Sequence, residues 1–280
     1  MASTLIEPQD MLDDAVADLR AGRLVPYIGP GVSALHSQPV PLSPEALAAW
    51  FETKVALPKR ARGNAWAAAQ HIESYKHRNT VTALMGEAFS EPVAPSAIHQ
   101  SLAAMELPLI VDAWYAGEMR HALAGRNDWI EVQGITRAGI GEDCWFRFYG
   151  PSGSDADAQD ASTATTLLYT PHGSVVPSRN FLISDADYVE VLTEIDIQTP
   201  IPEEVRQRRS GKAFLFLGCR FNDQLLRSYA RQIIKRSTDR HFAVVDLAVL
   251  TRNERAFLVE QNITPIDLPL NIALDRFASA

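Results

Sequence analysis

Hydrophobic and polar positions change their spacing several times along the chain, and each spacing predicts an element. Over residues 8–21, apolar side chains recur every three or four residues, which predicts an amphipathic helix that ends at Gly22. Short uninterrupted apolar runs predict buried strands over residues 24–28, 107–111, 167–169, 181–183, 213–217, 242–245 and 263–266. Helical patterns after Asp223 and over 252–261 alternate with these runs. The sequence therefore predicts an α/β fold with a Rossmann-like doubly wound, mostly parallel sheet.

Two stretches interrupt this alternation. Residues 44–106 are rich in alanine and punctuated by prolines, which predicts a helical insert. Residues 126–166 contain β-branched and aromatic segments at 129–136 and 144–149, which predict a β-rich insert. Residues 150–166 are mostly Ser, Ala, Asp, Gly and Thr, so we expect a flexible loop there. We expect residues 1–280 to form a single domain.

Composition and charge narrow the class of protein. Hydrophobic residues make up 46% of the chain, enough for a sizeable core, yet no apolar run approaches the roughly 20 residues that span a membrane. No secretion signal is predicted, and the formal net charge of −8 disfavours nucleic-acid binding. The two cysteines, Cys144 and Cys219, are too few for a disulfide framework or a four-cysteine zinc site. A cytoplasmic protein without a metal is the simplest interpretation.

The most informative segment lies where the first predicted strand ends. Gly29-Pro30-Gly31-Val32-Ser33 joins an apolar run to two glycines and a hydroxyl group. Glycine lets the main chain approach a ligand closely, and the N–H groups of such a turn can bind phosphate, although a tight surface turn has the same sequence. Ligands of open parallel sheets bind outside the carboxyl ends of the strands. We therefore expect one crevice, lined by residues 29–33, 112–116, 171–174, 218–223 and Asp246.

Each candidate at this crevice has a functional and a structural interpretation. The imidazole of His172 exchanges protons near neutral pH, or it hydrogen-bonds the loop beside it. Ser33 contacts a phosphate, caps a helix, or does both. Arg220 pairs with a phosphate or lies on the surface. Cys219 is a reactive thiol or, as we favour, a buried inert one. Asp246 binds ribose hydroxyls or shapes a turn.

Three of these segments resemble signatures of the sirtuin-like domain family, most closely its zinc-less bacterial branch. The glycine turn is similar to the family's Gly-Ala-Gly-x-Ser, and Pro171-His172-Gly173-Ser174 is similar to its Leu-His-Gly-Ser. Gly218-Cys219-Arg220, followed by Asp223, is similar to a third signature, Gly-x-Ser with a later Asp. The order agrees over roughly residues 10–270. The resemblance implies that NAD or ADP-ribose is the ligand, that His172 acts as a base, and that Gly218 lies against ribose or adenine.

A fourth segment of this chain departs from the corresponding family signature. Where the family has Thr-Asn-Tyr-Asp, this chain has Ala113-Trp114-Tyr115-Ala116. The family's Asn is thought to hold the ribose and the attacking water, whereas an indole has one donor, no acceptor and much more bulk. Trp114 stacks on a ligand ring or, as we favour, fills the space with core. The departure implies lost or altered catalysis rather than lost binding.

Three functions stay open at this point. The first is a protein that binds NAD or ADP-ribose with weak catalysis or none and acts as a sensor or regulatory partner. The second is an active NAD glycohydrolase or NAD-dependent deacylase with His172 as base; the deacylase is disfavoured because the cysteines of the family's zinc module are absent. The third keeps the fold without the nucleotide and uses the helical insert to bind a protein partner. The sequence does not decide whether the protein forms a homo-oligomer. It also does not decide whether residues 150–166 form a lid over the site.

Overall fold

A central sheet carries the fold. The computed structural model describes residues 7–35, 39–136, 145–197, 201–235, 237–238 and 240–279. The strands are β1 (Leu24–Ile28), β2 (Leu109–Asp112), β3 (Trp129–Gly134), β4 (Phe146–Tyr149), β5 (Asp155–Ala156), β6 (Thr166–Thr170), β7 (Gly173–Ser174), β8 (Asn180–Phe181), β9 (Ala213–Leu217), β10 (His241–Val245) and β11 (Ile263–Asp267). Nine of them form one sheet in the order β11-β10-β9-β1-β2-β6-β3-β4-β5.

The sheet is parallel from β11 to β3, and β4 and β5 extend it in antiparallel fashion. From β1 the chain passes to β2 on one side and returns later to β9 on the other. The strand order therefore reverses between β1 and β9. In doubly wound sheets, ligands bind at such a switch point, outside the carboxyl ends of the strands.

The described residues form twelve helices, which cover the sheet or extend from it. They are α1 (Pro8–Arg20), α2 (Pro44–Lys54), α3 (Ala65–Lys76), α4 (Arg78–Ala88), α5 (Ala97–Ala104), α6 (Glu118–Ala122), α7 (Ala158–Thr163), α8 (Asp185–Ile197), α9 (Glu203–Arg209), α10 (Gln224–Ile234), α11 (Arg252–Glu260) and α12 (Leu270–Ser279). The predicted α/β class, the mostly parallel sheet and the two inserts are confirmed.

Alternating side chains of the buried strands build two cores. In β9, Phe214 and Phe216 point to the face covered by α9, α10 and α11, whereas Leu215 and Leu217 point to the face covered by α1, α5 and α12. This two-residue period is the geometry of a strand that is buried on both faces. A third core joins helices α2, α3 and α4 of the insert to residues of the loops after β2 and β8. The insert thus packs beside the carboxyl ends of the strands.

Two local predictions were wrong. Residues 150–166 contain β5 and α7 rather than a loop without regular structure, because Asp157 and Asp160 form a capping box at the start of α7. The run 181–183 does not join the main sheet; β8 is shorter and pairs with β7 in a separate two-stranded sheet. Helices α8, α9 and α12 were not predicted. Cys144 lies outside the described residues, and so does most of the segment between β3 and β4.

Candidate functional site

A cavity of about 300 Å³ opens at the switch point. The loops after β1, β2, β6 and β9 form its floor, and the start of α2 together with α3 forms one wall. Most of the exposed surface inside it is apolar, which is usual for pockets that bind organic ligands. The lining includes Tyr27, Gly29, Gly31, Ala34, Glu45, Trp66, Trp114, Tyr115, His172, Gly218, Cys219, Arg220 and Asn222.

Three glycines bring the loops after β1 and β9 into main-chain contact. A Cβ atom added to Gly29 or Gly31 would lie 2.6 or 2.7 Å from the carbonyl oxygen of Gly218. Gly218 itself has φ +64°, and its Cβ would lie 2.4 Å from the nitrogen of Val32. Such distances are too short for any side chain, so this contact explains why all three positions are glycine.

Two N–H groups of the glycine turn are bound to main-chain oxygens at the end of β9. Gly29 N–H donates to Leu217 O at 2.8 Å, and Gly31 N–H donates to Gly218 O at 2.9 Å. Across the residues that the structure describes, the N–H groups of Cys219 and Arg220 have no hydrogen-bond partner. Both residues line the cavity.

His172 follows β6 and is 3% exposed. Its Nδ1 lies 3.1 Å from the hydroxyl oxygen of Tyr188, and its ring packs 4.7 Å from that of Tyr229. Within the described part of the chain, Nε2 is buried without a hydrogen-bond partner. Burial lowers the pKa of His172 to about 3, so the imidazole is neutral at physiological pH. His172 is one of the residues that line the cavity.

Trp114 lies in the loop after β2 and is 3% exposed. Its indole N–H donates to Pro41 O at 3.0 Å, and its ring contacts those of Tyr115 and Phe89. The side chain is therefore part of the insert core while it also lines the cavity.

Arg220 and Glu254 form a two-pronged ion pair at the cavity edge. Arg220 Nε lies 2.8 Å from Glu254 Oε1, and Nη2 lies 3.1 Å from Oε2. Burial alone would raise the pKa of Glu254, yet hydrogen bonds from Arg220 and Thr251 lower it to about 2. Arg220 is thus neither a free surface residue nor a fully available phosphate ligand.

The remaining candidates differ in their position. Cys219 Sγ lies 3.6 Å from the carbonyl oxygens of Tyr27 and Leu217, and burial raises the pKa of its thiol, as an inert cysteine requires. Ser33 is buried at the start of a short 3-10 helix and is not one of the residues that line the cavity. Asp246 accepts a hydrogen bond from Ala248 N–H at 2.9 Å and lies away from the cavity lining, so it shapes a turn.

The sequence did not indicate that two carboxyl groups near these loops are buried. Asp112, the last residue of β2, accepts a hydrogen bond from Trp114 N–H at 3.3 Å. Burial raises the pKa of Asp112 and of Glu118, and Glu118 raises that of Asp112 further. Both carboxyl groups therefore hold a proton more strongly than exposed ones do. The tyrosines that contact His172 were missed as well, because no periodic pattern marks them.

The fold and this cavity define an α/β protein with a mostly apolar cavity at the switch point of a parallel sheet. A family model described as SIR2-like domain matches residues 108–266, more than half of the chain. The protein therefore belongs to the SIR2-like domain family. No curated protein matches the chain. No group of three or more His, Cys, Asp or Glu in the described ranges is placed to hold a metal ion. None of the described helices is long and apolar enough to cross a bilayer.

Proposed function

We propose that this protein binds NAD or ADP-ribose in the cavity between the β1 and β9 loops. The observation that carries the proposal is a mostly apolar cavity at the switch point, which is lined by His172 and by the glycines that join the β1 and β9 loops. The main-chain N–H groups of Cys219 and Arg220 are the phosphate donors, and the glycine contact keeps side chains away from them. Membership of the SIR2-like family supports this class of ligand.

We propose further that cleavage of the ligand is weak or absent. Trp114 stands where similar domains have a water-holding Asn, and its single polar hydrogen is already bound to Pro41 O. No oxygen or nitrogen of this side chain is left to orient a water. The protein then serves as a cytoplasmic sensor or regulatory partner. A protein partner or a second copy of the chain recognises the ligand-bound state.

His172 also favours a second function, hydrolysis of NAD to nicotinamide and ADP-ribose. A neutral imidazole whose Nε2 is unpaired can accept a proton from a hydroxyl or a water. The bond between the ribose and the cationic nicotinamide ring of NAD breaks, nicotinamide leaves as a neutral molecule, and the oxygen of a water bonds the ribose carbon. This chain supplies the group that accepts the proton lost by that water. Deacylation is the less favoured form of this alternative.

A thermal-shift titration tests the binding proposal. A ligand that binds only the folded state, present at 100 times its Kd, adds about 2.7 kcal/mol to stability. We expect NAD and ADP-ribose to raise the Tm of the parent and to lose this effect in Ala34→Trp, which places an indole at the cavity wall. Leu35→Trp is the matched control, because Leu35 is exposed beside it and does not line the cavity. An unchanged parent Tm at millimolar ligand contradicts the proposal.

A further inference from the structure

Two helices on opposite sides of the molecule carry charges of opposite sign. Residues 7–20, which contain α1, have five acidic side chains and one basic one. Residues 224–240, which contain α10, have five basic side chains and one acidic one. Helix α1 packs against one face of the central sheet and α10 packs against the other. The protein therefore has an acidic side and a basic side.

The acidic side chains of α1 form a row along the helix. Asp10, Asp14 and Asp18 are four residues apart, so they follow one another on one side of the helix. Asp18 pairs with Arg23. Asp10 and Asp14 are exposed, and neither forms an ion pair with a residue that the structure describes. We call these three aspartates the acidic row.

The basic side chains of α10 form a row with the same spacing. Arg227, Arg231 and Lys235 are also four residues apart, and the last two are exposed. Arg231 Nη2 lies 3.9 Å from Glu260 Oε2, and both side chains are at least half exposed. A pair of this kind is weak and leaves the guanidinium available to a partner. At 1.5 Å per residue, this basic row and the acidic row are each about 12 Å long.

An exposed apolar side chain accompanies each row. Ile272 is 45% exposed and lies four residues before Arg276 on α12. Arg276 Nη2 lies 3.1 Å from Asp13 Oδ2, which places this side of α12 beside α1. Val259 is 78% exposed and directly precedes the residue of α11 that pairs with Arg231. Each side of the molecule thus combines charge with apolar surface, as protein interfaces do.

We propose that copies of this chain associate head to tail, with the basic row of one copy against the acidic row of the next. The two rows have the same spacing, the same length and opposite charge, a complementarity that attracts two surfaces and fixes their register. Because the rows lie on opposite sides, a copy that uses both contacts two different neighbours. The contact is therefore heterologous, and it forms a ring or an open series of copies rather than a two-fold dimer.

Sedimentation velocity of the full chain at several concentrations tests this association. At about 0.1 M salt we expect the average mass to increase with concentration beyond that of a dimer. At about 1 M salt, where the Debye length is only about 3 Å, we expect the monomer. Circular dichroism verifies that each variant used below is folded.

Two double variants test the rows themselves. Asp10→Lys with Asp14→Lys gives both rows a net positive charge, and Arg231→Glu with Lys235→Glu gives both a net negative charge. Each double variant alone should remain a monomer at about 0.1 M salt, because its two sides repel. An equimolar mixture of the two should associate, since each row then meets a row of opposite sign.

Matched controls reverse the same number of charges elsewhere. Glu91→Lys with Glu106→Lys controls for the acidic row, and Lys59→Glu with Arg60→Glu controls for the basic row. All four residues are exposed and lie outside α1 and α10, so both controls should associate as the parent does. The inference is overturned by a parent that stays monomeric at the lower salt, by association that stops at a dimer, by controls that lose association, or by folded row variants that fail to associate when mixed.

Discussion

The indole N–H of Trp114 donates to the carbonyl oxygen of Pro41, 3.0 Å away, and this bond joins the loop after β2 to the segment that leads into the helical insert. Pro41 precedes α2 by only a few residues, and the start of α2 forms part of the cavity wall. The residue that departs from the sirtuin-like signature therefore has a structural partner. Its replacement affects the insert as well as the site.

Trp114→Asn should lower the free energy of unfolding by about 3 kcal/mol or more, because it removes a large buried ring and leaves a void. Trp114→Phe keeps most of the ring contacts and should cost about 1 kcal/mol, for the lost bond to Pro41 O. Urea unfolding followed by circular dichroism measures both. Equal stability of the two variants would show that the indole is not packed as described.

Nicotinamide release from NAD by the parent protein should be near background. Each missing group that stabilises charge in such a site costs about 3 kcal/mol of barrier, and Trp114 supplies no water-holding atom. Chromatography of the reaction mixture detects the product. Rapid release that disappears in His172→Gln but persists in Tyr169→Phe would instead establish the hydrolase alternative.

Gly31→Ala should destabilise the fold by about 1–3 kcal/mol, because the added methyl group meets the carbonyl oxygen of Gly218 at 2.7 Å and the two loops must separate. Gly125→Ala is the control, since a Cβ atom there has no neighbour within 4 Å, and its effect should stay within about 0.5 kcal/mol. Denaturant midpoints of the two variants should differ accordingly. A fully stable Gly31→Ala would mean that the loops are further apart than described.

Arg220→Met should destabilise the protein by about 2 kcal/mol at pH 7, less than for a fully enclosed pair because the guanidinium is half exposed. The pKa of Glu254 is about 2 in the folded protein against an ordinary value of 4.5. Stability from this pair is therefore present above pH 4.5 and is lost as the pH falls towards 2. The deficit of the variant should shrink over that range.

Arg231→Gln controls for the loss of a charge. Arg231 and Glu260 form an exposed pair 3.9 Å apart, so this change should cost less than about 1 kcal/mol and show no such pH dependence. Unfolding curves recorded from pH 7 to pH 3 compare the two variants. A deficit in Arg220→Met that stays constant with pH would contradict the role assigned to Glu254.

The sheet was predictable because each of its buried strands is a short apolar run in the sequence. The residues of β9 are all apolar and face two cores in alternation, so the amino-acid sequence itself indicates burial on both faces. Helix α7 was missed because its sequence is polar and its support is distant. Arg208 donates to the carbonyl oxygens of Ala161 and Ala164 at its end, at 2.8 and 2.6 Å, from more than 40 residues away.

The sequence predicted where the site lies but only part of its hydrogen bonding. The strand ends indicated where His172, Trp114 and Gly218 would meet, and the structure brings them to one cavity. The sequence could not show that the N–H groups of the glycine turn bond the β9 loop, because the register between two distant segments decides this. It also could not show that Tyr188 bonds His172, since that contact depends on how the loop after β8 folds back.

The two indoles in the cavity wall have an optical consequence. Trp66 and Trp114 line the cavity, and the whole chain contains five tryptophans. Indole emission depends on the solvent and the rings next to it, so a ligand that displaces water from this cavity changes a substantial share of the intrinsic fluorescence. Binding of a ligand in this cavity would therefore be measurable by intrinsic fluorescence without an attached label, and Trp114→Phe would identify which part of the signal comes from the loop after β2.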